Sequence, residues 1–137
     1  MLFELGLVAP YGIQPGVQLG LVQPLGEHLF VRPQLGVYTR PGRHTTGMLD
    51  VELGVQGRRL GASVGVAYQA EWRIEGATIG LDGSRSTTRG LHHHVLPTLN
   101  TDVAWDRERV DPYVRLSVGR QWPVGRMFAG LEVGVRL

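Results

Sequence analysis

Residues 49–56 read Leu49-Asp50-Val51-Glu52-Leu53-Gly54-Val55-Gln56. Every second residue is a branched aliphatic, and the residues between are acidic, amide or glycine. Side chains of an extended strand project alternately to its two faces, so this octet is a β-strand with one apolar and one polar face. The same rule continues through 60–73. There Leu60, Ala62, Val64, Val66, Tyr68, Ala70 and Trp72 alternate with Gly61, Ser63, Gly65, Ala67, Gln69, Glu71 and Arg73. It returns at the end of the chain, where Ala129, Leu131, Val133, Val135 and Leu137 alternate with Phe128, Gly130, Glu132, Gly134 and Arg136.

Extended along the chain, the alternation predicts eight strands, at about 2–9, 15–23, 28–39, 47–57, 60–73, 94–106, 111–121 and 126–137. Most have the roughly 9–11 residues that a tilted strand needs to cross a bilayer. Glycine and proline mark the connections, as in Pro24-Leu25-Gly26, Pro41-Gly42 and Pro123-Val124-Gly125. Connections at 10–14, 40–46, 74–93 and 122–125 include the longest, whereas 24–27, 58–59 and 107–110 are uniformly short. Membrane barrels have this asymmetry of long external loops and short internal turns. Residues 76–82 alternate weakly and are assigned to the long loop, since a ninth spanning strand would break the parity.

Composition narrows the alternatives. The 137 residues make one domain, 1–137, and contain no cysteine, hence no disulfide and no thiolate metal site. Twenty glycines and eight prolines argue against long helices. All fourteen basic residues are arginine, and a net charge of +2 without a concentrated basic face gives no reason to expect a nucleic-acid partner. No apolar run reaches the ~18 residues of a spanning helix. The chain enters patterned sequence at Met1-Leu2-Phe3-Glu4 without the charged and apolar regions of a signal peptide, so a mature form is expected.

Two barrels could carry the pattern. A soluble calycin-like barrel turns the apolar face inward, around a core or ligand; a membrane barrel turns it outward to lipid. The polar face is unusually small and charged. It combines Glu4, Arg32, Asp50, Glu52, Glu71, Arg73, Asp102, Arg115, Glu132 and Arg136 with glycines such as Gly6, Gly61, Gly65 and Gly134. In a narrow lumen, glycines leave room for long charged side chains, and acids and arginines satisfy one another. Aromatic residues cluster near expected strand ends: Tyr11, Trp72 and Trp122 on the loop side, Phe3, Phe30, Trp105 and Tyr113 on the turn side. Two such girdles mark the two interfaces of a membrane barrel. Pro33 and Pro97 fall inside expected strands, and each should mark a bulge or a missing ladder bond.

The whole pattern resembles the small eight-stranded outer-membrane barrels of the OmpA/OmpX type. Its most specific part is the run from Phe128 to Leu137, which is similar to the terminal strand signal of that family, although the family usually ends in an aromatic residue and this chain ends in Leu137. The resemblance implies an all-β, up-and-down transmembrane barrel in a bacterial outer membrane, with both termini periplasmic. It also implies membrane lipid or lipopolysaccharide as a partner, recognition of the last strand by the insertion machinery, a monomer and no cofactor.

Catalytic and metal chemistry are weakly signalled. His92-His93-His94 would alternate faces on a strand, so three in a row do not converge on one metal, and a solvated loop edge is expected. Ser84 and Ser86 share the long loop with Asp82 and the histidines, which keeps a lipid-modifying hydrolase as an alternative. No catalytic residue is assigned. The external connections are basic, with Arg40, Arg43, Arg73, Arg85, Arg89, Arg120 and Arg126 outnumbering Glu75 and Asp82, and arginine suits phosphate recognition.

Overall fold

The computed structural model describes residues 1–10, 14–40, 43–105 and 110–137. Eight strands follow one another in the chain: β1 Leu2–Pro10, β2 Gly16–Pro24, β3 Leu29–Arg40, β4 His44–Gln56, β5 Leu60–Ile79, β6 Arg85–Ala104, β7 Asp111–Arg120 and β8 Met127–Arg136. Each pairs antiparallel with its neighbours, and β1 pairs with β8 to close the barrel. Closure leaves the wall without a free edge. No described residue is helical.

Two strands are longer than the alternation predicts. β5 and β6 each have 20 residues and stay paired from Leu60↔Val103 to Ile79↔Arg85. Residues 74–93 are therefore a hairpin rising from the wall, not a long loop, and Arg85 and Arg89 stand on β6. The lipid-type alternation fades beyond Trp72 because residues 75–79 and 85–89 of this hairpin are exposed on both faces. A register shift lies between Ile74 and Gly76. The turn at the tip is set by Gly83, whose φ of 81° is open to glycine, and by Asp82, which accepts hydrogen bonds from the Ser84 hydroxyl at 2.7 Å and the Ser84 amide at 3.0 Å. These two bonds hold the Asp82 carboxyl below its ordinary range.

Both prolines sit where a ladder is interrupted. Opposite β3, pairing runs to Gly20↔Gln34 and resumes in the same register at Gln23↔Val31, skipping Pro33 and Arg32. The β6–β7 ladder stops at Thr98↔Gly119, one residue short of Pro97. In each case the missing N–H removes a bond on one side of the strand, while the other side stays paired, at Pro33↔Val51 and Val66↔Pro97.

The faces are sorted as in a membrane barrel. Leu19, Val51, Val64, Leu116 and Val133 lie on the outer surface, Val64 at 59% exposure. Arg32, Glu52, Asp102 and Arg115 are among the most deeply buried side chains, Arg115 at 1%. A soluble barrel needs the reverse arrangement, so that alternative is set aside.

Candidate functional site: a charged lumen and a basic mouth

Register decides which charges meet. Arg32 lies opposite Glu52, Arg136 opposite Glu4 across the closing seam, and Arg115 opposite both Glu132 and Asp102. Cβ atoms of directly opposed residues are about 5 Å apart, within easy reach of these side chains. The contacts that form make one network. Glu4 is its hub, with Arg115 at 2.9 Å, Arg136 at 2.7 Å and Arg32 at 3.2 Å. Arg32 also reaches Glu52 at 2.9 Å, Arg115 reaches Glu132 at 2.7 Å, and Arg136 reaches Asp102 at 2.6 Å. Arg115 therefore bonds Glu132, opposite it on β8, and Glu4, which is not in register with it, while its other register neighbour, Asp102, is held by Arg136. Three arginines and four acids, all almost fully buried, offset one another where each alone would lose its hydration. Ser63 donates to Glu52 at 2.6 Å and completes one of these carboxylates.

Two aromatic residues expected in the girdle belong to this network. Phe30 is 2% exposed and lies beneath the Arg32 guanidinium, 4.4 Å from its ring centre. Tyr113 is fully buried, donates its hydroxyl to Glu132, and is flanked by Arg115 at 5.0 Å and Arg136 at 5.1 Å. The girdle assignment is corrected for both: they share the parity of Arg32 and Arg115, and parity overrides nearness to a strand end. Each faces a glycine on the next strand, Phe30 opposite Gly54 and Tyr113 opposite Gly134. A Cβ on Gly54 would lie 2.5 Å from the Phe30 ring, and one on Gly134 2.7 Å from the Tyr113 ring. Phe3, Trp72, Trp105 and Trp122 do face outward and are exposed, from 47% at Trp105 to 69% at Trp122. Tyr11 lies outside the described residues.

Above the network, Ala67, Leu96 and Phe128 pack with Met48 into an apolar layer. A cavity of about 30 Å³ lies beside it, bordered by Asp50 and Asn100 among others. Asp50 is buried on the inward face but makes no ion pair among the described residues. Beyond the apolar layer the interior becomes polar again and opens at the end carrying the hairpin. Glu71 and Arg73, expected in the lumen network, belong to this mouth: Arg73 bonds Glu71 at 3.0 Å. His94 approaches the other Glu71 oxygen at 3.4 Å, and His44 lies 3.7 Å from the first.

The histidine run divides by parity. His94 points inward, His93 points outward and stacks on Tyr68, and His92 bonds Glu75 at 2.8 Å. No group of residues able to hold a metal ion occurs among the described residues. Ser84 is committed to Asp82, and no hydrogen bond joins a serine to a histidine among the described residues.

No protein-family model matches the chain, and no curated protein matches it in sequence. Among solved structures, the N-terminal β-barrel domain of Pseudomonas aeruginosa OprF is similar at a TM-score of 0.59 and 16% identity, covering 99% of this chain and 96% of that one. A de novo designed transmembrane β-barrel is similar at a TM-score of 0.55 and 13% identity, covering 98% and 91% respectively.

The fold is that of the small eight-stranded outer-membrane barrels.

In an outer-membrane-type barrel the mouth is the part open to solutes. Here it is a cavity of about 620 Å³ whose lining includes Arg40, Arg43, His44, Glu71, Arg73 and Arg126. Arg40 and Arg43 were expected among external basic residues, and they gather at this cavity. Arg126, expected among the same external basic residues, lines the cavity with them, whereas His44 was missed as a cavity residue. Arg85 stands apart near the tip of the exposed hairpin, whereas Arg89 borders a smaller neighbouring cavity of about 190 Å³ with Arg40, Arg43 and Arg73. His44 lies just before the alternation becomes regular, and Arg126 just before β8 begins.

Proposed function

We propose that this protein is a bacterial outer-membrane β-barrel with a lumen closed by ion pairs and a structural or surface-interaction role exercised through its basic mouth. The observation that carries the reading is the inverted distribution of its side chains. The outer wall is a continuous belt of Leu and Val, and the interior is a buried network of arginines and carboxylates. In water such a belt would be an exposed apolar surface far larger than monomeric proteins carry. In a bilayer it is solvated by hydrocarbon, and the closed strand ladder satisfies the backbone polar groups. Exposed Phe3 and Trp105 at one end, and Trp72 and Trp122 at the other, fit two membrane interfaces.

In the lumen, guanidinium groups reach carboxylates on strands that are not their ladder neighbours, such as Arg136 of β8 with Asp102 of β6. The apolar layer of Ala67, Leu96 and Phe128 lies next to them. Charge-assisted bonds of this kind are short and strong, and they fill an eight-stranded interior that side chains nearly occupy. Arginines at the mouth suit the phosphates of membrane lipid or lipopolysaccharide.

The test is refolding into detergent, then planar bilayers. The folded chain should migrate differently from the boiled chain on a gel, and single-channel recordings should show no stable conductance. A steady open pore would contradict the closed lumen, and a chain that stays monodisperse in water without detergent would contradict the membrane reading.

A further inference from the structure

We propose that the mouth cavity is a specific binding site for compact anions that carry more than one negative charge, of the phosphomonoester or polyphosphate class. The proposal deepens the surface-interaction reading of the mouth and rests on it. Among the described residues, four arginines, Arg40, Arg43, Arg73 and Arg126, line one open cavity of about 620 Å³ against a single acidic residue, Glu71. Arg73 is bonded to Glu71, but among the described residues no acid forms an ion pair with Arg40, Arg43 or Arg126. They contrast with Arg32, Arg115 and Arg136 deeper in the barrel, each of which has two or more carboxylate contacts.

Arg40, Arg43 and Arg73 stand together at the adjoining ends of β3, β4 and β5, with Arg40 opposite His44 and His44 opposite Arg73, whereas Arg126 precedes β8, on the far side of the ring from β4. A multiply charged guest is thereby met by a cluster of three guanidinium groups on one side and a fourth from the other. Guanidinium forks match phosphate oxygens two at a time. A metal cation is disfavoured by the same charges, although His44 and His94 each approach Glu71. The low-dielectric wall below the cavity and the excess of one sign focus the field on its opening.

The full chain, refolded in zwitterionic detergent, would be titrated calorimetrically with sodium tripolyphosphate and with inorganic phosphate. Tripolyphosphate should bind more tightly, and its affinity should fall as salt rises. Arg43→Gln and Arg126→Gln should each weaken it about tenfold, the loss of roughly one charge-assisted contact. Arg85→Gln, on the hairpin, should leave it unchanged. Gel heat-modifiability of each variant shows that the barrel is folded. Equal weakening by Arg85→Gln, or affinity indifferent to Arg43→Gln and Arg126→Gln in folded protein, overturns the site. These outcomes are independent of the conductance result. A second titration, in nanodiscs with and without a phosphomonoester lipid, separates the two sources of the ligand. Competition by the lipid supports a headgroup as occupant, and undiminished binding supports a free anion; binding lost in both kinds of nanodisc overturns the proposal.

Discussion

Phe30 and Tyr113 show what governs a side chain in this wall. Both stand near strand ends, where a membrane barrel carries interfacial aromatics, yet both turn inward because they lie an even number of residues from Arg32 and Arg115. The signal was present in the alternation, and the counting of strand ends obscured it. The ten charged residues of the inward face were legible for the same reason of parity, but their partners were not. Pairing depends on register, and seven of the ten form the deep network while Glu71 and Arg73 form a separate pair at the mouth. Arg115→Ala should destabilise the folded barrel by about 3–5 kcal/mol, because Glu132 is then left buried with only Tyr113. Arg89→Ala, on the exposed hairpin, should stay within about 0.5 kcal/mol. Urea unfolding in detergent, followed by gel migration, measures both, and equal effects would contradict the network. Gly134→Val should cost about 1–3 kcal/mol by the same assay, since its Cβ would meet the Leu5 carbonyl oxygen at 2.4 Å and the Tyr113 ring at 2.7 Å. Gly26→Ala is the control: nothing lies within 4 Å of its added Cβ, and it should be nearly neutral.

At the scale of the element, the eight spanning strands were readable wherever one face meets lipid, because the apolar half of the alternation is then obligatory. The upper halves of β5 and β6 lack that constraint. Their residues 75–79 and 85–89 are exposed on both sides, so polar and small residues serve as well as apolar ones, and the period-two signal disappears although the strands continue. A two-stranded ribbon without a sheet to pack on is marginal in stability. The hairpin should therefore open more readily than the wall, and trypsin acting on the folded protein should cut first after Arg85, beside the turn that Asp82 and Gly83 build. Mass spectrometry of the first fragments identifies the site. Initial cleavage after Arg58 or Arg59, in the short connection between β4 and β5, would contradict the assignment of the hairpin as the weakest element.

For the whole molecule, β1 must meet β8, and that closure brings Glu4 and Arg136 together from opposite ends of the chain. It lets the barrel hold charge inside and hydrocarbon outside, and it divides the interior into a buried network, an apolar layer and an open basic mouth. The first two follow from strand parity, whereas the mouth depends on residues beside the strands, such as Arg43 and Arg126, whose convergence needs the three-dimensional closure. The central claim is that the belt of Val and Leu faces lipid. The chain has no cysteine, so one introduced cysteine carries one unique label. Val64→Cys and Leu131→Cys, labelled with an environment-sensitive fluorophore and refolded into bilayers containing brominated lipid, should be strongly quenched, with Arg85→Cys on the hairpin far less so. If the Val64 and Leu131 labels are as unquenched as the Arg85 label, the belt does not face lipid and the membrane account is wrong.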